Sequence, residues 1–188
     1  MLRSRAALLT TAVRLVSESG TTDISVTGLA DAANVSRQLV YLQFGDRDSL
    51  LVKAAVDLVQ RELIPHVGDG GDDERRRALA TARHFATYRS FYRAMLTGSC
   101  AFAMTRTLSS SFSLLTRRSV RELFGELDPK TMQDMTAFLA AGAGAILNNW
   151  VIDGADPLRP DDIAERLLRL ASVFAGRQRS RARRGRRR

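Results

Sequence analysis

An all-α fold is what the sequence predicts, on three observations. Apolar residues recur three and four apart over long stretches, as in Leu8, Leu9, Ala12, Leu15 and Val16, which is the spacing of one helix face. β-Branched residues seldom alternate with polar ones, and only four prolines interrupt the 188 residues. Leu, Ala and Arg, all good helix formers, dominate the composition. An apolar content of 45% is ordinary for a globular chain, and the length suffices for a sizeable core.

Taken in order, the first helix is expected from about Ser4 to Ser19, stopped by Gly20. After the connector "TTDIS", Ser25 caps a second helix over Val26 to Ala33, weakened inside by Gly28. Asn34 then stands where a left-handed residue is wanted, a position at which Asn is the best substitute for Gly. Ser36 caps a third helix, Arg37 to Phe44, with Val40 and Phe44 turned inward against the first. Asp46 caps a fourth from Arg47 to about Leu63, ended by Pro65. The stretch "HVGDGGDDE" is a linker, and further helices follow at about Asp73–Leu96, Arg106–Leu127 (in one or two pieces), Met132–Asp153 and Asp161–Gly176.

The net charge of +9 is unevenly placed. Residues 177–188 hold eight arginines and no acid, so the remainder of the chain carries a net charge of only +1. Such a run repels itself and is expected to be disordered. Two readings stay open for it: a phosphate-backbone contact without sequence preference, or a solvated tail. The basic start "MLRSRAALL" is like a secretory leader, but Arg14 and Glu18 interrupt the apolar run and no small-residue cleavage site follows. No run reaches the about 18 consecutive apolar residues of a membrane span. With the single Cys100, which excludes an internal disulfide, these features predict a cytoplasmic protein.

Two short helices joined by a tight capped turn, the second led by polar side chains, have the form of a helix-turn-helix. The second helix of such a unit enters the major groove of DNA, with residues near its N-terminus against base edges. Gln38 can pair with adenine, Arg37 can reach guanine or a phosphate, and Leu39 can touch a thymine methyl. Tyr41 can offer its hydroxyl to a phosphate, and Arg47 adds a charge beside helix amides that favour one. The same pattern also occurs in helical proteins where Arg and Gln are merely solvated.

Residues 6 to 52 resemble the DNA-binding domain of TetR-family transcriptional regulators. The resemblance is carried, in order and without gaps, by "AVRLVSESG", "SVTGLA", "ANVS", "VYLQF" and "DRDSLL". It implies that Thr27, Ser36, Arg37, Gln38 and Leu39 contact bases or nearby phosphates, while Tyr41, Gln43 and Arg47 anchor the backbone. Asn34 replaces the usual turn Gly, Gly28 stands where an acid commonly completes a capping box, and Gln43 replaces a His. Gln38 and Leu39 occupy positions where small residues are common, which makes the operator sequence unusual.

The resemblance further implies dimerisation through the last two helices and a small inducer among the middle ones. The run Ala140 to Ala145 independently points to close helix packing, since its glycines cost helix propensity. Phe138, Ala141, Gly144, Ala145 and Asn148, facing Ile163, Leu167, Leu170 and Phe174, compose the expected four-helix interface across a two-fold axis, with an intramolecular helix pair as the alternative. Phe85, Tyr88, Tyr92, Met95, Phe102, Met104, Phe112 and Leu115 are the candidate pocket lining, with Arg89, Asn148 and Asn149 as polar handles. A stripe of this kind also serves as plain core.

Catalysis finds no support. His66 and His84 stand far apart without metal-ligand spacing, no Gly-x-Ser-x-Gly or phosphate loop is present, and "GDGGDDE" lacks calcium-loop spacing. "GAGAILN" has neither a preceding strand nor the third Gly of a dinucleotide fingerprint. The expectation is therefore a non-enzymatic, cofactor-free homodimeric regulator, a ligand-released repressor. Residues 1–52 would read duplex DNA, 53–176 would bind the inducer and dimerise, and 177–188 would form the arginine-rich tail. A ligand-independent DNA-binding protein is the alternative, and a small helical enzyme a more remote one.

Overall fold

The computed structural model describes the backbone of residues 2–68 and 73–185, and their side chains except those of 2, 68, 111, 113–115 and 175–185. Among the described residues ten α-helices follow one another: α1 Leu2–Ser19, α2 Val26–Ala32, α3 Arg37–Phe44, α4 Arg47–Glu62, α5 Ile64–Gly68, α6 Glu74–Thr87, α7 Arg89–Thr97, α8 Ala101–Phe124, α9 Pro129–Asp153 and α10 Pro160–Gly185. Among the described residues there is no strand.

Local chemistry sets most of the boundaries. The side chains of Ser25, Ser36, Asp46 and Asp73 each accept a backbone N–H from the first turn of the helix they cap. Asp128 does the same for α9, which opens on Pro129, a residue suited to a position whose N–H has no helical partner. Asn34 takes a left-handed φ of 51°.

Several boundaries differ from the sequence expectation. The single helix foreseen over Asp73–Leu96 is two, because Tyr88 leaves helical geometry at φ −103°, ψ 28°. No Gly or Pro marks that break. Pro65 does not simply end α4; it sits in the first turn of α5, where the missing N–H is harmless. Helix α10 runs through to Gly185 instead of stopping at Gly176, so residues 177–185 are helical and not the disordered tail foreseen; 186–188 lie outside the described residues. Two of its acids, Asp161 and Asp162, lie in the first turn and arginines follow toward the other end, the arrangement a helix dipole favours.

One apolar cluster runs through the molecule. Leu8, Leu9, Ala12 and Val16 of α1 meet Leu29, Val40 and Phe44 of the short helices and Leu50, Leu51 and Leu58 of α4. The same cluster continues into Phe85, Phe91, Tyr92, Met95, Met104, Val151 and Ile163. Helix α1 packs on both α4 and α7, so the helix-turn-helix and the larger helical body share a continuous core.

Two polar groups inside the body fix its geometry. Arg89, at the start of α7, donates from Nε to the Val151 carbonyl at 3.1 Å, from Nη1 to the Ala155 carbonyl at 3.3 Å and from Nη2 to the Gly154 carbonyl. Nη1 also reaches Asp156 Oδ1 at 3.3 Å. The guanidinium thus caps the end of α9, where carbonyls lack helical partners, and it is a structural strut instead of the ligand handle foreseen. His84 is buried, with Nε2 2.7 Å from the Tyr92 hydroxyl, and burial pushes its pKa down to about 4.

Arg89→Met is expected to lower stability by about 2 kcal/mol, read from the urea unfolding midpoint, because partly buried carbonyls lose charged donors. Arg89→Lys should recover little of this, since one ammonium cannot span three carbonyls. For His84 the unfolded chain binds the proton more tightly than the fold. Its contribution is therefore intact above about pH 6.5 and lost as pH falls toward about 4. Denaturation at stepped pH should show a decline of about 2–3 kcal/mol in that window that His84→Gln removes.

Candidate nucleic-acid interface

The turn between α2 and α3 is built from backbone donors and one hydroxyl. The Ala33 N–H reaches Leu29 O, Asn34 reverses the chain, and the Val35 N–H returns to Ala30 O at 3.0 Å. Ser36 Oγ then accepts the Leu39 N–H at 3.2 Å, which sets the first turn of α3. Val40 and Phe44 face the core, and Phe44 lies between the cations of Arg5 and Lys53, 5.7 and 5.4 Å from its ring.

At about 100° per residue, the direction opposite Val40 and Phe44 falls on Leu42, with Gln38 and Leu39 on either side. Leu42 is 73% exposed and Tyr41 55%; Arg37 and Gln38 are exposed, and Leu39 is half-buried. Leu42 was not singled out from the sequence. Its signal was the i to i+4 spacing from Gln38, which puts the two on one outward face. Thr27 is exposed near the start of α2, while the Ser36 hydroxyl is occupied in capping. Gln43 is half-buried with Oε1 out of solvent and unpartnered, so it sits at the flank of α3 and not on its outer face.

Arg47 departs most from expectation. Its guanidinium is engaged inside the molecule: Nε with Asp48 Oδ1 at 2.9 Å, Nη1 with Asp23 Oδ1 at 3.1 Å and Nη2 with Ser99 Oγ at 3.4 Å. It lines a surface recess of about 430 Å³ together with Ser25, Val26, Asp46 and Asp48, at the heads of α2 and α4. The Asp46 carboxyl is held below its ordinary pKa chiefly by the Ser49 amide, so it stays charged.

The candidate pocket residues are only partly brought together. Phe85, Tyr92, Met95 and Met104 are fully buried, with Phe85 and Tyr92 ring to ring at 4.4 Å. Tyr88 and Phe112 are half-buried beside them, 5.2 Å from His84 and 6.3 Å from Phe85. Phe102 is 81% exposed on the first turn of α8 and stands apart; the Leu115 side chain lies outside the described residues. Cys100 is buried, its thiol pushed up by that burial, with the Ser99 hydroxyl and the charged Asp48 and Arg47 nearby.

On α9, Phe138, Ala141 and Ala145 are exposed, Gly144 and Asn148 half-buried, and Asn149 exposed. A methyl group added to Gly142 or Gly144 would meet nothing within 4 Å. Leu170 is exposed on α10, as is Val173, while Leu167 and Phe174 are half-buried. Phe174 packs edge-on to Phe124 of its own chain at 6.1 Å. Ile163, expected at a subunit interface, is only 2% exposed within its own chain, because α10 lies along α6 and turns that residue into the monomer core. Helix α9 is also long and apolar enough to cross a membrane by length and composition, which the sequence reading had not expected. Among the described residues no group of three His, Cys, Asp or Glu could hold a metal.

Residues 8–54 match the family of bacterial regulatory proteins called tetR, TetR_N. No curated protein matches the chain. Among solved structures, a Rhodococcus sp. protein assigned to the TetR-family transcriptional regulators is similar at 22% identity, with 93% of this chain and all of that one covered and a TM-score of 0.59. A transcriptional regulator from Rhodococcus sp. RHA1 aligns at 18% identity over 90% of this chain and 96% of its own, with a TM-score of 0.61. The dihydroxyacetone kinase operon activator DhaS aligns at 16% identity over 94% and 98%, at 0.59. These likenesses share the all-α, two-part fold.

Proposed function

We propose that this chain, whose residues 8–54 match the bacterial regulatory proteins of the tetR family, is a sequence-specific homodimeric repressor of that family, released from its operator by a small ligand. The observation that carries the reading is the outward face of α3, where Gln38 and Leu42 project together from a helix whose start is fixed by Asn34 and Ser36. Gln38 suits adenine, Arg37 guanine or phosphate, and Leu39 and Leu42 thymine methyls. Tyr41 and Thr27 supply hydroxyls to the backbone, with Gln43 at the flank.

Dimerisation is supported by the bare face of α9 together with Leu170 and Val173 of α10. Residues 1–52 form the reading unit in this proposal, and 53–176 the dimerising, ligand-binding body of a cytoplasmic protein. The tightly packed rings around His84 are where an apolar ligand would be admitted. Such a ligand acts only through its different affinity for two arrangements of the body, one of which holds the paired α3 helices at the wrong spacing for DNA. A ligand-independent regulator is the competing reading, and thermal-shift screening separates the two, since a ligand selective for the fold raises apparent stability.

Fluorescence anisotropy on the chain's own upstream duplex and a shuffled duplex tests the reading. Tyr41→Phe should weaken binding to both by about fivefold, the loss of one modest hydrogen bond. Gln38→Ala should change the preferred sequence, with about 1–3 kcal/mol of discrimination lost at one base pair; an unchanged preference would remove Gln38 from base reading. Ala141→Arg should leave helix content intact yet convert the dimer to a monomer in sedimentation, because Ala141 is exposed in the single chain.

A further inference from the structure

We infer that Asp23 and Ser99 are positioning residues that hold the Arg47 guanidinium back from the DNA backbone, so that the body tunes sequence-independent affinity through one side chain. This rests on the reading of the chain as a DNA-binding regulator and concerns how that activity is adjusted.

All three guanidinium nitrogens of Arg47 have partners, and the partners come from three places. Asp48 belongs to α4 itself and moves with Arg47. Asp23 comes from the connector before α2, and Ser99 from the turn between α7 and α8. A phosphate entering the recess beside Ser25 and Asp46 must therefore displace a partner already in place. It also meets three carboxylates, Asp23, Asp46 and Asp48, around one guanidinium.

Magnitudes make this contest close. The Asp23 side chain is 93% exposed, and exposed pairs of this kind are worth about 0.2–1 kcal/mol. A DNA phosphate offers counterion release in exchange, a gain that depends on salt. Small displacements of Asp23 or Ser99 are then enough to decide which partner Arg47 keeps.

The α7–α8 turn is placed to make such displacements. Thr22 is buried, and its Oγ1 lies 3.5 Å from Ser99 Oγ. Gly98 sits so close to Thr22 that a methyl group there would collide with it. Any shift of this turn is felt at once by Thr22, by its neighbour Asp23 and, through Ser99, by Arg47. Helix α8, which begins at that turn, leads straight into the packed body through Met104.

The test is anisotropy of the full chain on the upstream and shuffled duplexes across a salt series. Asp23→Asn is expected to tighten binding to both by about two- to fivefold, and the slope of log K against log salt to steepen by about 0.9, one further phosphate contact. Ser99→Ala should act in the same direction with a smaller effect, and Ser99→Thr, which keeps the hydroxyl, should behave as wild type. In an Arg47→Gln background the Asp23→Asn gain should vanish. Unchanged or weakened binding in Asp23→Asn overturns the inference, as does a gain that survives Arg47→Gln and so reflects net charge alone. If Gln38→Ala still alters the preferred sequence in either case, only the restraint on Arg47 has failed. If wild type and every variant bind neither duplex, the regulator reading falls and this inference with it.

Discussion

The orientation of α3 depends on a core that it does not own. Eight residues make too short a helix to persist alone in water, where about 12–15 are needed even for favourable sequences. What holds it is the burial of Val40 and Phe44 against α2 and α4, and α4 is in turn held by α1 through Leu50, Leu51, Ala54 and Leu58. Each fully buried leucine of that set contributes about 1.5–3 kcal/mol relative to exposure. Because the same cluster continues through α1 into α7 and the aromatic body, the face that carries Gln38 and Leu42 cannot rotate without disturbing packing elsewhere. This rigidity suits the DNA-reading role proposed for α3, and the shared core couples α3 mechanically to the body.

Arginine does two different jobs at the joints of this core. At Arg89 the guanidinium meets three backbone carbonyls at the end of α9, with the exposed Asp156 carboxylate as a further partner, and the result is a fixed corner between α7 and α9. At Arg47 it meets carboxylates and a hydroxyl, of which one carboxylate is almost fully in water. The first set of partners leaves no reason to exchange; the second can be replaced by a phosphate with little net cost. Each arginine also meets one exposed aspartate, so it is the three backbone carbonyls held by Arg89, more than the burial of either arginine, that separate a strut from a movable contact.

What was legible in the sequence was what short range decides. Ser25, Asn34, Ser36 and Asp46 mark their helix ends through contacts two to five residues away, and each occupies the role its type implied. The outward face of α3 was partly legible: Gln38 stood out as polar, whereas Leu42, an apolar side chain, gave no such signal by its type. Long-range contacts were not legible. The periodic stripe on α10 is real, but periodicity does not say which neighbour a stripe meets, and Ile163 is buried within its own chain. Likewise nothing in "GSC" announces that Ser99 reaches back to Arg47 across more than fifty residues. The break at Tyr88 has no Gly or Pro to announce it, and the middling helix propensity of Thr87, Tyr88 and Ser90 is too weak a signal to place it.

The same reasoning bears on α9. A segment as poor in bulk as Ala140 to Ala145 gains little from burying side chains and loses propensity at its glycines. Among the described residues nothing lies within 4 Å of a methyl group added at Gly142 or Gly144, so close packing among those residues does not explain them. Two environments would: hydrocarbon, which the length and apolarity of α9 allow, or another helix lying close enough to need the missing side chains. The hydrocarbon alternative fits poorly with how α9 is placed. Its Met132, Thr136, Ala140, Leu147 and Val151 are buried against the body, and its other end is tied by Arg89 to α7, within the core shared with the helix-turn-helix. A helix anchored in this way presents only one open side. A second copy presenting the same small-residue face, as in the homodimer proposed above, would cover that side and would set two α3 helices at one fixed separation, as reading a two-fold DNA site requires.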